Sequence, residues 1–385
     1  MSGGGVIPAL KGGLGAAGRR VVKDALVATA LLLVIATGPQ QASAQDITVQ
    51  HAAAILKQLV ETYGVSGDEA RVRAVVRSHL PAWAHAETDT AGNLWVSVGQ
   101  GDPVTVFVAH MDEIGYRVDS IRADGTLVLS RRGGMLTWLW EGSAALVQTD
   151  TGQVSGVFVP RPADAKPVRG APEPMLIDLG TGSAAATAAL GVRVGDEVTN
   201  PKKFVPLAGT RATGRSFDDR VGDTSQLLAL EGLDPSRLTH RVIFLWVTRE
   251  EIGLEGSAAA ANALQLTPAR VYAIDTFVSS DAPLDVKTFA DQPIGAGPVA
   301  RIVDNSSVTP PADLDTLRAL AARNGIPLQI GTTNGGNDGS SFQGYGVVDV
   351  PIGWPLRYSH SPAEVIDLRD VVQLSRLIRV LALQW

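Results

Sequence analysis

The chain has no cysteine. That absence excludes disulfides, thiolate metal ligands, a cysteine nucleophile and lipid attachment at a lipobox cysteine, so any metal ion must be held by His, Asp and Glu. Aromatic residues are scarce, at 5% of 385 residues, and histidines number six. Clefts that bind sugars often use exposed aromatics, which weighs against a glycosidase. Charged residues make up only 19%, with 33 Lys and Arg against 39 Asp and Glu. An acidic surplus disfavours nucleic acid as a partner. The apolar run Ala25–Ala36, about 12 residues, is too short to span a bilayer.

What surrounds that run has a recognisable order. Arg19, Arg20 and Lys23 precede it, and the small residues Ala42-Ser43-Ala44 follow. This is the pattern of a signal peptide covering residues 1–44, with cleavage after Ala44, an exported product and no membrane attachment thereafter. The competing reading is an uncleaved anchor. The Arg19-Arg20 pair also hints at twin-arginine export. Removing residues 1–44 takes away four basic residues and one acid, leaving 29 basic and 38 acidic residues and a net charge of −9.

The length allows about two domains, and 45% hydrophobic content is ample for a core. Residues 48–63 read as a helix with Ala52, Ile55, Leu56, Leu59 and Val60 on one face. A second helix is expected at about 68–79. Continuous apolar runs at 104–109, 242–247, 271–274 and 347–352 read as strands covered on both faces. Helical stretches at 224–233, 256–264, 314–324 and from about Asp367 alternate with them, which argues for a layered α/β domain built from 45–116 and 211–385. Residues 117–210 carry short alternating stretches, many glycines and a Pro-rich loop through Pro160, Pro162, Pro167, Pro172 and Pro174. They read as an inserted small all-β domain.

In open α/β sheets, ligands bind at the carboxyl ends of the strands. His110, Glu250, Glu251 and Asp275 follow three of the apolar runs closely, and His360 lies a short loop after the fourth. Asp218 and Asp219 precede a helix and can face the same rim. Taken singly, Glu250-Glu251 reads as a solvated acidic loop, Asp218-Asp219 as a helix N-cap and Asp275 as a strand-end turn. His51, His79, His85 and His240 keep an ordinary surface or core reading. Together, two imidazoles and three carboxylates (His110, His360, Glu251, Asp275 and a bridging Asp218) suit two divalent ions, zinc, cobalt or manganese. Such ions acidify a bound water and polarise a scissile carbonyl. Glu250 beside them suits a general base, and Asp112 can accept the second N–H of His110 and fix its tautomer.

At this point the chain resembles a known family, the tetrahedral or glutamyl aminopeptidases, also called cellulase M-like metallopeptidases. The matching segments are Gly64–Glu69, His110–Gly115, Asp218–Gly222, Glu250–Leu254 and Arg357–Glu364. The resemblance implies a three-layer α/β/α catalytic domain with a mixed sheet and an inserted PDZ-like or barrel domain. It implies the metal-ligand roles above, with Glu250 as base and Asp112 behind the metals. It also implies a cis Asp218–Asp219 bond, action on short peptides with a free N-terminus, and homo-oligomers from dimers to twelve subunits. Arg249 stands where the family usually has glutamine, either lowering the pKa of Glu250 or pointing away. Asn337–Ser340 replaces the usual Thr-Asp-Ala. The alternatives are a related two-metal carboxypeptidase or deacylase, separable with N-blocked peptides, and a non-catalytic metal-dependent binding protein, which would have no use for Glu250.

Overall fold

The computed structural model describes residues 47–162, 174–264, 270–279, 281–283 and 290–385. The signal pattern, Pro167 and Pro172 lie outside the described residues. Among those residues no helix is long and apolar enough to cross a membrane.

A nine-stranded mixed sheet forms the centre. Its order runs Ala86–Thr88, Leu94–Val98, Val242–Val247, Thr105–His110, Arg270–Val278, Ile352–Leu356, Val299–Val303 and Gln329–Thr332, with Val348–Asp349 pairing beside Arg270–Val278. The four strands in the middle, 242–247, 105–110, 270–278 and 352–356, are mutually parallel. Strands 105–110 and 242–247 are buried at every residue, as continuous apolar runs require when both faces are covered. The run read at 347–352 is two strands, not one. Pro351 interrupts it, having no N–H to give the ladder. The strand read at 271–274 continues to Val278, so Asp275 lies within it and not after it; pairing with Ile352–Leu356 carries the ladder past the last apolar residue of the run. The two strands approach closely there: a Cβ on Gly353 would sit 1.7 Å from the Asp275 carbonyl oxygen.

Helices cover both faces. Val49–Glu61 is capped by Thr48, whose side chain accepts the His51 N–H, and it buries Ala52, Ile55, Leu56, Leu59 and Val60. Leu368–Gln384 is capped by Asp367 and buries Val371, Leu374, Leu377 and Leu381. With Phe217–Glu231 and Pro311–Arg323, these helices pack on one sheet face around Phe107, Phe244, Tyr272 and Trp354. Glu255–Leu264 packs on the other face around Val106, Val108, Ile243 and Leu245. The i, i+3, i+4 stripe puts these leucines into the interface, where each contributes roughly 1.5–3 kcal/mol.

The insert is a closed barrel of Gly115–Ile121, Leu127–Arg132, Met175–Asp178, Gly152–Phe158, Ala144–Thr149 and Glu197–Thr199, in that order. Its core is separate, built on Tyr116, Trp140 and Phe158 with Val118, Val147 and Ile177. A short helix, Ala184–Ala189, accompanies it. Val205–Pro206 then leads back and pairs with Arg211–Gly214, which in turn pairs with Glu364–Asp367, just ahead of the last helix. The result is a mixed α/β architecture with an inserted all-β barrel.

Candidate metal centre

The parallel strands all deliver their carboxyl ends to one rim. His110 closes its strand, and Glu250 and Glu251 follow Val242–Val247. Asp275 projects from within its strand, and His360 follows Ile352–Leu356. Asp218 comes from the start of Phe217–Glu231, where it and Asp219 depart from helical geometry and are joined by a cis peptide. These six residues line one cavity of about 470 Å³. All five non-glycine residues with positive φ among the described residues (Ser216, Arg249, Leu254, Tyr358 and His360) lie within three residues of one of the six. Such conformations cost of order 1 kcal/mol each and persist where surroundings over-determine them, as they do around functional sites.

Asp218 is central. Its Oδ1 lies 3.2 Å from His110 Nε2 and its Oδ2 lies 3.4 Å from His360 Nε2. Glu251 Oε1 is 3.3 Å from His360 Nε2, and Glu250 Oε2 is 3.9 Å from His110 Nε2. Ligand atoms of His110, Asp218 and Glu251 all lie within 4.8 Å of one another. Glu251 Oε1 is buried without a hydrogen-bond donor. A shielded carboxylate oxygen facing imidazole nitrogens fits a divalent cation, since an unpaired buried charge is otherwise costly. Asp275 reaches the same cavity, and its Oδ2 is 3.1 Å from Arg301 Nη2.

Asp112 does more than face the imidazole. Its Oδ1 is 3.5 Å from His110 Nδ1. The same oxygen accepts the Glu250 N–H at 3.0 Å, Oδ2 accepts the Glu251 N–H at 3.1 Å, and Ser66 Oγ also donates to Oδ2. One carboxylate thus orients a histidine and two glutamates. Further positioning roles were not legible in the sequence, even where, as for Asp219, the residue itself was placed at the rim. Asp219 Oδ2 accepts the His110 N–H at 3.0 Å. Glu364 accepts the N–H groups of Phe217 and His360, tying the Asp218 segment to the His360 loop. Asp338 approaches from the glycine-rich segment, and Arg301 from Val299–Val303. The Asp338 signal was present in the departure at Asn337–Ser340. For Arg301 no sequence signal existed. Arg249 points away: its Nε is 3.0 Å from the exposed Glu255, and it donates to the Ala91 carbonyl.

The electrostatics follow from crowded carboxylates. Burial pushes the Glu250 carboxyl well above its usual range; His110 opposes this, while Glu251, Asp338 and Asp275 reinforce it. Burial also raises Asp275 to about 6 and Asp338 to about 7. Burial alone would lower the His110 and His360 pKa values, but the surrounding carboxylates outweigh it and hold both well above the imidazole range. These raised values mark a rim short of positive charge; Asp218 goes the other way, held below its usual range despite burial by the imidazoles of His110 and His360 beside it.

Residues 92–377 match the M42 glutamyl aminopeptidase family. The chain belongs to that family. The glutamyl aminopeptidase of Lactococcus lactis subsp. cremoris is 27% identical over 342 residues, which cover 85% of this chain and 94% of that one. The lysyl aminopeptidase of Pyrococcus furiosus is 28% identical over 348 residues, covering 85% and 95%. A solved structure of Pyrococcus horikoshii TET1 peptidase, described as assembling into a tetrahedron or a large octahedral shell, superposes with a TM-score of 0.78. It is 32% identical, covering 87% of this chain and all of that one. This M42 protein is therefore a metallo-aminopeptidase, a hydrolase of peptide bonds. The two aminopeptidases are named for different N-terminal residues, glutamyl in one and lysyl in the other.

Proposed function

We propose that the protein is an exported aminopeptidase that uses two divalent ions to release N-terminal residues from short peptides. The observation that carries this reading is the placement of Asp218, with one carboxylate oxygen toward each of two imidazoles. That is the arrangement of a bridging ligand. His110 and Asp275 would complete one site, and His360 and Glu251 the other. When bound, the ions (zinc or cobalt, with manganese as the alternative) would supply Lewis acidity to the scissile carbonyl and acidify the attacking water.

The chain's own groups do the rest. Glu250 takes the proton of the attacking water and returns it to the departing amine nitrogen, so the carboxylate is regenerated each turnover. Burial and the carboxylates around it raise its proton affinity, which favours its taking the proton. Asp112 holds Glu250 and Glu251 through their backbone N–H groups, which keeps base and ligand in fixed relation. Export rests on the basic start, apolar run and Ala42–Ala44 site of the first 44 residues. The chain forms homo-oligomers, a reading supported by the tetrahedral or octahedral shells of the P. horikoshii peptidase.

The test is hydrolysis of aminoacyl-p-nitroanilides by metal-stripped mature protein, with zinc, cobalt or manganese added back. Metal-restored cleavage of free but not N-acetylated substrates is the expected result. Cleavage of N-acetylated substrates would move the reaction to a deacylase or carboxypeptidase type.

A further inference from the structure

An aminopeptidase seats one residue and sends the rest of its substrate out through the mouth of the site. Exposure shows where that mouth lies. The side chain of His360 is 33% exposed, whereas His110, Asp218, Glu250, Glu251 and Asp275 are 14% or less. The cavity therefore opens beside His360.

The segment running past His360 comes from the barrel. A Cβ on Gly133 would lie 3.3 Å from Glu251 Cβ, and one on Gly134 would lie 3.9 Å from His360 Nδ1. The chain then enters a single 3₁₀ turn, Thr137–Leu139. Leu136 and Trp138 are 57% and 59% exposed there. Four residues of chain place Trp138 within about 14 Å of Gly134. Tyr358, two residues before His360, is also exposed. Among the described residues three large aromatics are exposed, and two of them, Trp138 and Tyr358, lie four residues or fewer along the chain from Gly134 and His360.

The turn has a fixed frame. Trp140 is fully buried, edge-on to Tyr116 at 5.5 Å and to Phe158 at 5.6 Å. The Arg215 guanidinium stands 5.3 Å from the Trp140 ring. Glu141 accepts from Arg161 Nε at 2.6 Å. A buried anchor with exposed apolar residues two and four positions earlier is a poor way to build a surface loop, since the apolar groups gain nothing from water. It is a sound way to hold an apolar rim over a polar cavity.

We infer that Leu136, Trp138 and Tyr358 form a specificity rim that binds apolar side chains at the second and third residues of the peptide. This rests on the aminopeptidase activity and adds a preference downstream of the cleaved bond. The occupant is the departing part of the substrate, because the rim borders the opening through which that part must pass.

The experiment compares three substrates that share the preferred N-terminal residue X: X-amide, X-Gly-Gly and X-Phe-Gly. It is run on the metal-loaded mature enzyme and on its Trp138→Ala, Trp138→Phe and Leu136→Ser/Trp138→Ala variants. Amides avoid an aromatic leaving group that would itself lie on the tryptophan. The wild type should favour X-Phe-Gly over X-Gly-Gly by about tenfold, mainly through KM. Trp138→Ala should bring the two together, Trp138→Phe should restore the preference, and X-amide should be cleaved equally by all. An unchanged preference in the double variant, or an equal loss on X-amide, overturns the rim. So does a change in molar mass by light scattering in the double variant, which would make the patch a contact between copies. Turnover of X-amide in every variant separates a failed rim from a failed aminopeptidase.

Discussion

The segment His110–Glu113 divides two buried ionic clusters of opposite balance. On one side, His110 and Asp112 face the rim, where Asp218, Glu250, Glu251, Asp275 and Asp338 outnumber the cations. On the other side, the Glu113 carboxylate sits among three cations. Lys202 Nζ is 2.8 Å away and Arg215 Nη2 is 2.7 Å away, with Arg220 Nη2 at 3.9 Å. The Gly64 N–H at 2.9 Å and the Ser216 hydroxyl also donate to it. Burial acts on Glu113 as it does on Glu250, yet here the arginines and the lysine outweigh it and hold the carboxyl well below its usual range. Glu250 goes the other way. Both carboxylates are held largely out of water, Glu113 completely and Glu250 to 14% side-chain exposure. The difference is that the fold itself supplies the cations of one and leaves those of the other to come from solution.

The largest effect that probes this contrast is on turnover. Glu250→Gln should cut kcat by about 10²–10⁴-fold while both ions stay bound, measured by steady-state kinetics beside metal analysis. Retained activity would remove Glu250 from its role. Next, Glu113→Gln should destabilise the fold by about 3–5 kcal/mol, because it strands three buried cations. Denaturant unfolding gives that number, and a loss below about 1 kcal/mol would show that the hub is not an ionic lock.

Smaller effects sharpen the rim side. Asp275 is raised to about 6 and Asp338 to about 7 by burial. A raised carboxyl binds its proton more tightly when folded, so its stabilisation is complete below the unfolded value near 4 and is lost as pH rises through about 6 to 7. Bound cations replace those protons. The gap in Tm between metal-loaded and chelated protein should therefore widen from pH 5 to pH 8. A constant gap would mean that protons and metals do not compete there. In the chelated protein, Glu250→Gln should stabilise by about 1 kcal/mol by removing one crowded charge, the opposite sign to Glu113→Gln. The smallest effect belongs to Arg249→Gln. Its guanidinium turns to Glu255, so kcat/KM should stay within about twofold. A large change would place Arg249 at the site after all.

The same contrast explains what was legible in the sequence. The rim could be read because His110, Glu251, Asp275 and His360 lie in or shortly after strands that are continuous apolar runs buried on both faces, and Asp218 at the start of a helix. The parallel order then brings the ligands together without any need to know side-chain contacts. The hub could not be read this way. Glu113 meets Lys202 across 89 residues and Arg215 across 102, and nothing local marks those cations as buried. The short pairings were equally hidden. Ala86–Thr88 and Val348–Asp349 exist through their neighbours and not through any periodicity of their own. Asp275 was recognised, but its strand was ended too soon, because the ladder continues where the apolar run stops.

Metal content per chain, measured together with the anomalous scattering of the bound ions in a crystal, tests the two-ion reading most directly. The expected result is two ions per chain, on either side of Asp218, one beside His110 and Asp275 and the other beside His360 and Glu251, with both lost in Asp218→Asn. A single ion, or a pair that leaves Asp218 uncoordinated, would contradict it.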